Sequence, residues 1–150
     1  MGEIQLRVYD LSMGLVKLIS KPCFNNQING IWHTSICFSG YEYYFNNLGI
    51  LKLPIGEFER KNFYLKPLYF VNYQIEDLDQ SKFETNVYSF KESFKPNTYH
   101  LLNKNCNHFS QIILKKYNLK IPTEISKFIN QMYSNPDTKK FAELLALLDW

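Results

Sequence analysis

Cysteine is scarce, with Cys23, Cys37 and Cys106 the three in a chain of 150 residues. An odd count with no repeated spacing argues against a disulfide framework and for a reducing compartment. No apolar run approaches the roughly 20 residues that a membrane span needs, so no span is expected. The start, Met1-Gly2-Glu3-Ile4-Gln5-Leu6-Arg7, lacks a basic region followed by an apolar core, and Leu6 stands where a myristoylation pattern wants Ser or Thr. Charge of one sign is nowhere concentrated. The formal net charge of +3 comes from scattered lysines, which gives no nucleic-acid footprint. Cys106 and His108 have no second Cys/His pair at ligand spacing, and Cys37 and His100 would have to be recruited singly, so no metal site is expected. What remains is a globular intracellular protein, cytoplasmic with the nucleus also open to it. Residues 1–150 read as a single domain long enough to bury a core.

What is present is periodicity. Ile4, Leu6 and Val8 alternate as in a half-buried strand, and Ser12 can cap a short helix through Ile19. Residues 31–38 and 41–45, joined by Ser39-Gly40, read as an antiparallel hairpin. Residues 46–66 carry Gly49, Pro54 and Gly56 with weak periodicity, a surface excursion with room for one short strand. Residues 68–75 resume strand character. Phe83, Val87, Phe90 and Phe94 share a helical stripe that must stop before Pro96. Phe109, Ile112, Ile113 and Tyr117 recur at helical spacing, so a helix begins here with Cys106 at or just before its first turn and Asn118 as a left-handed cap; Pro122-Thr123 opens another through Ile129. Phe141, Leu144, Leu145 and Leu148 make a last amphipathic helix.

Cys106 carries the chemistry. A thiol at a helix N-terminus feels unpaired N–H groups and the positive end of the macrodipole, both of which favour the thiolate nucleophile. Asn105 or Asn103 can cap the helix, and N–H groups around Cys106, with Asn105 and Asn107, are oxyanion candidates. A buried apolar filler is the competing role for a cysteine. Three histidines could act as base. His108 is two residues along the same helix, about 200° from Cys106 around its axis. His100 lies in the preceding loop. His33 sits on a predicted strand beside Trp32, and a strand-borne imidazole facing a helix-borne thiol suits an ion pair; a hydrogen-bonded sheet histidine is the alternative.

Several blocks occur in order: Val8-Tyr9-Asp10-Leu11-Ser12, Gly30-Ile31-Trp32-His33-Thr34-Ser35-Ile36, Glu42-Tyr43-Tyr44-Phe45, Tyr99-His100-Leu101-Leu102, Asn105-Cys106-Asn107-His108-Phe109-Ser110 and Ile121-Pro122. Together they resemble the PPPDE family, permuted papain-fold peptidases that include desumoylating isopeptidases. The resemblance implies an α+β, circularly permuted papain-like cysteine protease fold, a small antiparallel sheet packed with helices. It implies that His33 and Cys106 form a catalytic dyad, with no cofactor or metal required. It implies hydrolysis of the isopeptide bond joining SUMO, or ubiquitin, to a substrate lysine, so the partners are modifier-conjugated proteins. A homodimer stays open, because at least one relative is one. Trp32 could wall a channel of glycine width or be a core residue. A thioesterase acting on S-acylated proteins with the same dyad, or a papain-like binding module without turnover, are the alternatives. The chain departs from the family pattern at His108, where a small hydroxyl residue is common.

Overall fold

Ile4, Leu6 and Val8 lie on one face of β1 (Gly2–Asp10), and all three are fully buried, which puts this strand inside the sheet rather than at its edge. The computed structural model describes residues 2–18, 29–101, 103–134, 136 and 140. β2 (Trp32–Phe38), β3 (Tyr41–Asn46), β4 (Gly49–Pro54) and β5 (Tyr69–Ile75) complete a five-stranded sheet of order β4-β3-β2-β1-β5. Every neighbouring pair is antiparallel. The helices are α1 (Glu57–Lys61), α2 (Gln80–Tyr88), α3 (Cys106–Lys116) and α4 (Thr123–Ser134), an α+β architecture as expected. No helix among the described residues is long and apolar enough to cross a membrane.

The sheet has two differently covered faces. On one, Ile4, Leu6, Val8, Ile36, Phe38 and Phe45 meet Phe83 and Val87 of α2, Phe109 and Ile113 of α3, and Ile125 and Phe128 of α4. Burying each such side chain contributes about 1.5–3 kcal/mol, so this layer dominates stability. On the other face a smaller cluster joins Tyr9 and Tyr44 to Phe58 of α1, flanked by Leu51, Leu53 and Leu65.

The excursion expected over residues 46–66 contains β4 and α1. Leu51 and Leu53 alternate with Lys52, but the strand lies between Gly49 and Pro54, whose turn signals mask so short a run. α2 ends at Tyr88, earlier than its apolar stripe suggests. Beyond it the chain makes tight turns such as Phe90 N–H to the Val87 carbonyl, and these still carry Phe94 to Phe45 and Phe109, with ring centroids 4.9 and 5.3 Å away. Ser12 Oγ accepts the Val16 N–H (3.2 Å) where a cap was expected, and residues 15–18 are helical. Asn118 takes a φ of 58°, the expected left-handed position after α3. The helix expected over residues 141–148 lies outside the described residues.

Candidate active site

The site grows out of a gap in the sheet. β2 pairs with β1 from Gln5↔Cys37 down to Asp10↔Trp32, but its pairing with β3 stops at Ile36↔Tyr43. Leu11 donates its N–H to the Ile31 carbonyl (2.9 Å), which sets the phase of the β1–β2 ladder. Antiparallel alternation then turns the Trp32 carbonyl and the Thr34 N–H away from β1, toward the side where β3 has left. Two buried backbone groups need partners there.

The first turn of α3 supplies them. Asn107 Nδ2 donates to the Trp32 carbonyl at 2.9 Å, and its Oδ1 accepts from Thr34 Oγ1 at 2.8 Å. Burial raises the Cys106 thiol, and the Thr34 N–H is the first of the donors that pull against it, so the sulfur lies beside this gap. A helix start thus stands in for the missing strand, and this sets the nucleophile in the plane of the sheet beside β2. Asn105 is the N-cap, as expected, its Oδ1 accepting from the N–H groups of Asn107 (2.9 Å) and His108 (3.2 Å). His108 closes a capping box by accepting the Asn105 N–H on Nδ1 at 3.2 Å, the role a Glu or Gln usually fills. Asn105 Nδ2 donates to the Leu101 carbonyl, so in this state both asparagine amides are engaged and neither is free to hold an oxyanion.

Tyr99, absent from the sequence candidates, lies near the nucleophile, and burial first and then Cys106 hold its phenol well above the usual tyrosine range. Phe45 holds its ring at 5.5 Å between centroids. Cys106 itself is 2% exposed, and burial pushes its thiol up to about 11, against the pull of the Thr34, Asn107 and Cys106 N–H groups and the Tyr99 hydroxyl. The expectation of a thiolate stabilised by the helix start is therefore corrected for this resting state, because desolvation outweighs the donors.

The structure does not bring His33 to the sulfur as a hydrogen-bonded partner. Trp32 and Thr34 face the helices, and strand alternation sends the intervening side chain to the other face. There the imidazole stacks on Phe58 (4.6 Å, 4° between planes), with Tyr44 edge-on at 5.4 Å and Tyr9 at 5.7 Å. It is 3% exposed, neither ring nitrogen has a hydrogen-bond partner, and burial lowers its pKa to about 3. Burial thus favours the uncharged form of both groups. The next residue of β2, Thr34, faces the first turn of α3 instead, its hydroxyl donating to Asn107 Oδ1. His100 is in a different place, bridging Lys104 in the loop before α3 and accepting the Asn103 N–H on Nδ1.

Trp32 is a core residue that also borders an open space. Its indole belongs to the main cluster and lines a cavity of about 270 Å³ with Gly30, Lys127 and Phe128. A Cβ at Gly30 would come within 2.4 Å of that ring. Gly30→Ala is therefore expected to lower stability by about 1–3 kcal/mol, the usual cost of forcing atoms into a packed site. A urea melt of the variant checks this, and an unchanged midpoint would show that the indole is free to move aside.

Residues 2–145 match the family described as "PPPDE putative peptidase domain". The chain belongs to the PPPDE peptidase family. It is also 31% identical over 144 residues to desumoylating isopeptidase 1 of Homo sapiens, covering 95% of this chain and 83% of that protein. Desumoylating isopeptidase 1 of Xenopus laevis is 30% identical over 135 residues, 89% of this chain and 78% of its own length. The α+β sheet-and-helix architecture fits the papain-like fold of PPPDE peptidases, and membership makes the chain a peptidase-type hydrolase. In this PPPDE peptidase the Trp-His-Thr block and the Asn-Cys-Asn block are neighbours in space, joined by the Asn107 amide.

Proposed function

We propose that this chain is a cysteine isopeptidase that releases SUMO or a ubiquitin-like modifier from substrate lysines, with Cys106 as nucleophile and His33 as base. One observation carries the reading: in a family whose matched relatives are named for desumoylation, the capped start of α3 holds a cysteine against backbone donors at a break in the sheet. The modifier's C-terminal glycine would bring its carbonyl to the sulfur. For His33 to take the thiol proton its ring must leave the box formed by Phe58, Tyr44 and Tyr9 and reach the sulfur. The imidazolium then returns the proton to the departing lysine amine, and water resolves the acyl-enzyme.

A second reading, a papain-like binding module without turnover, is favoured by the protonated thiol and the enclosed imidazole of the resting state. A panel of SUMO- and ubiquitin-type probes ending in a C-terminal electrophile separates the two. The isopeptidase is expected to form an adduct and to cleave an amide reporter of the same modifier, with both lost in Cys106→Ser. A folded wild-type chain that reacts with no member of the panel would overturn the isopeptidase reading. Cleavage retained by Cys106→Ser would remove the nucleophile.

A further inference from the structure

We propose that residues 56–66, the strap that carries α1, form a latch over His33 with Phe58 as its bolt, and that this latch must lift before the imidazole can meet Cys106. The need for lifting rests on the isopeptidase reading, whereas the latch itself is read from the far face of the sheet. Phe58 is the centre of the enclosure. Its ring lies flat on the imidazole and also meets Tyr9 at 4.6 Å and Tyr44 at 5.1 Å between centroids. It is 2% exposed, and no other side chain among residues 56–67 is fully buried. A single ring of this strap therefore shuts the base in.

The strap is tied to the sheet at its two ends and lightly held between them. Ile55 donates its N–H to the Gly40 carbonyl (3.1 Å), and Leu68 donates to the Val8 carbonyl (2.7 Å). Between these ties, Gly56 opens α1 at a φ of 99° with no side-chain cap. Past its end, Phe63 and Tyr64 take consecutive φ values of 56° and 58°, a left-handed conformation that bulky residues adopt only under strain. Burial does not explain that strain, because the two side chains are 90% and 70% exposed.

What holds the strap down is Phe58, with Leu65 beside it, and the carboxylate of Glu59. That carboxylate pairs with Arg7 of β1 at 3.5 Å and with Lys66 at 2.9 Å, so it joins both limbs of the strap to the central strand. Against these contacts stand the left-handed pair and the two imidazole nitrogens, which have no partner while the latch is shut. Lifting relaxes the first and hydrates the second. A closed form balanced in this way keeps an open form as a minor population, reached without unfolding the helical layer on the other face.

Diethyl pyrocarbonate, which acylates neutral imidazole, reads the latch through mass spectrometry of the peptide that contains His33. In the wild-type chain below its urea transition, the labelling rate is expected to be nearly independent of urea, because lifting the strap exposes little surface. Glu59→Gln removes the ion pairs and leaves the core intact, and it is expected to label about threefold faster. Phe58→Ala is expected to label about tenfold faster or more. With a modifier-amide reporter, kcat/KM of Glu59→Gln should rise by the same factor as its labelling, since both follow the open population. A wild-type rate that climbs with urea in step with global unfolding overturns the latch, and so does a Glu59→Gln rate equal to wild type. Faster labelling of Glu59→Gln with no rise in kcat/KM overturns the gating role. A wild-type chain inert toward every reporter overturns the isopeptidase reading and gating with it, while the labelling, which needs no turnover, still decides whether the strap lifts.

Discussion

Replacing His33 with leucine is expected to make the protein more stable and nearly inactive. The imidazole is enclosed by Phe58, Tyr44 and Tyr9 with no partner for either nitrogen. A buried polar group left unsatisfied costs about 1–3 kcal/mol. Leucine, of similar volume, removes that cost and gives up a ring stack worth about 0.5–1.5 kcal/mol, leaving a net gain of about 1 kcal/mol. Turnover of a modifier amide is expected to fall about 10³-fold or more, because His33 is the proposed proton carrier. Gains in stability bought by loss of function mark sites kept for chemistry.

The pH dependence sharpens this test. Burial lowers the folded-state pKa of His33 to about 3, below the ordinary histidine value of 6.5. Between those values the unfolded chain binds a proton that the folded chain does not, so stability falls as the pH drops below 6.5. The slope is about 1.4 kcal/mol per pH unit for one proton. From pH 6.5 to 5 the wild-type protein should therefore lose about 2 kcal/mol that His33→Leu keeps. His108, also lowered by burial, is present in both proteins and cancels from the difference. Urea melts at the two pH values measure it. Equal slopes would mean that the imidazole is not enclosed in solution, and undiminished turnover in the variant would dismiss it as the base.

Asn107 should be the most sensitive position of the site for stability. Asn107→Ala orphans the Trp32 carbonyl and the Thr34 hydroxyl, both buried, and is expected to cost about 2–4 kcal/mol. Asn107→Asp is expected to be worse at pH 7. Its carboxylate can still accept from Thr34, but its second oxygen would confront the Trp32 carbonyl, acceptor against acceptor, in a place 1% exposed. Such a carboxyl has a raised folded-state pKa, so its penalty grows as pH climbs above the ordinary aspartate value of about 3.9. The midpoint difference between the two variants should accordingly shrink toward acid pH. Cys106 is expected to alkylate faster in both, since its seat beside Thr34 loosens. An Asn107→Asp protein as stable as wild type at pH 7 would show that the amide does not bridge the gap.

Much of this was legible in the residues. The alternation of Ile4, Leu6 and Val8 and the Ser39-Gly40 turn announced the central strands, and Asn105 before Cys106 announced a capped helix. The short strand allowed for in residues 46–66 is β4, whose bounds were not legible because a six-residue edge strand bounded by Gly49 and Pro54 looks like punctuation. His108 was hidden as a capping partner because that position ordinarily calls for a carboxylate or amide. The side of the sheet that His33 occupies was written in the pattern itself: Trp32, Thr34 and Ile36 share one parity, so His33, Ser35 and Cys37 share the other. Tyr99 left no local signal. Its place near Cys106 depends on a loop that returns on itself at His100 and Lys104, and sequence periodicity does not encode such a return.

The seating of α3 against β2 ties the reactive atom to the parity of a strand. Only the even-numbered residues at this end of β2 turn their backbone N–H and C=O groups toward the opening, so Trp32 and Thr34 are the residues that meet the start of α3. Sliding β2 by a single residue along β1 would reverse every one of those groups, leaving the helix start with no ladder to join. Accurate strand alignment is thus a precondition for the cysteine to be positioned at all, and misregistered chains would be catalytically silent as well as badly packed.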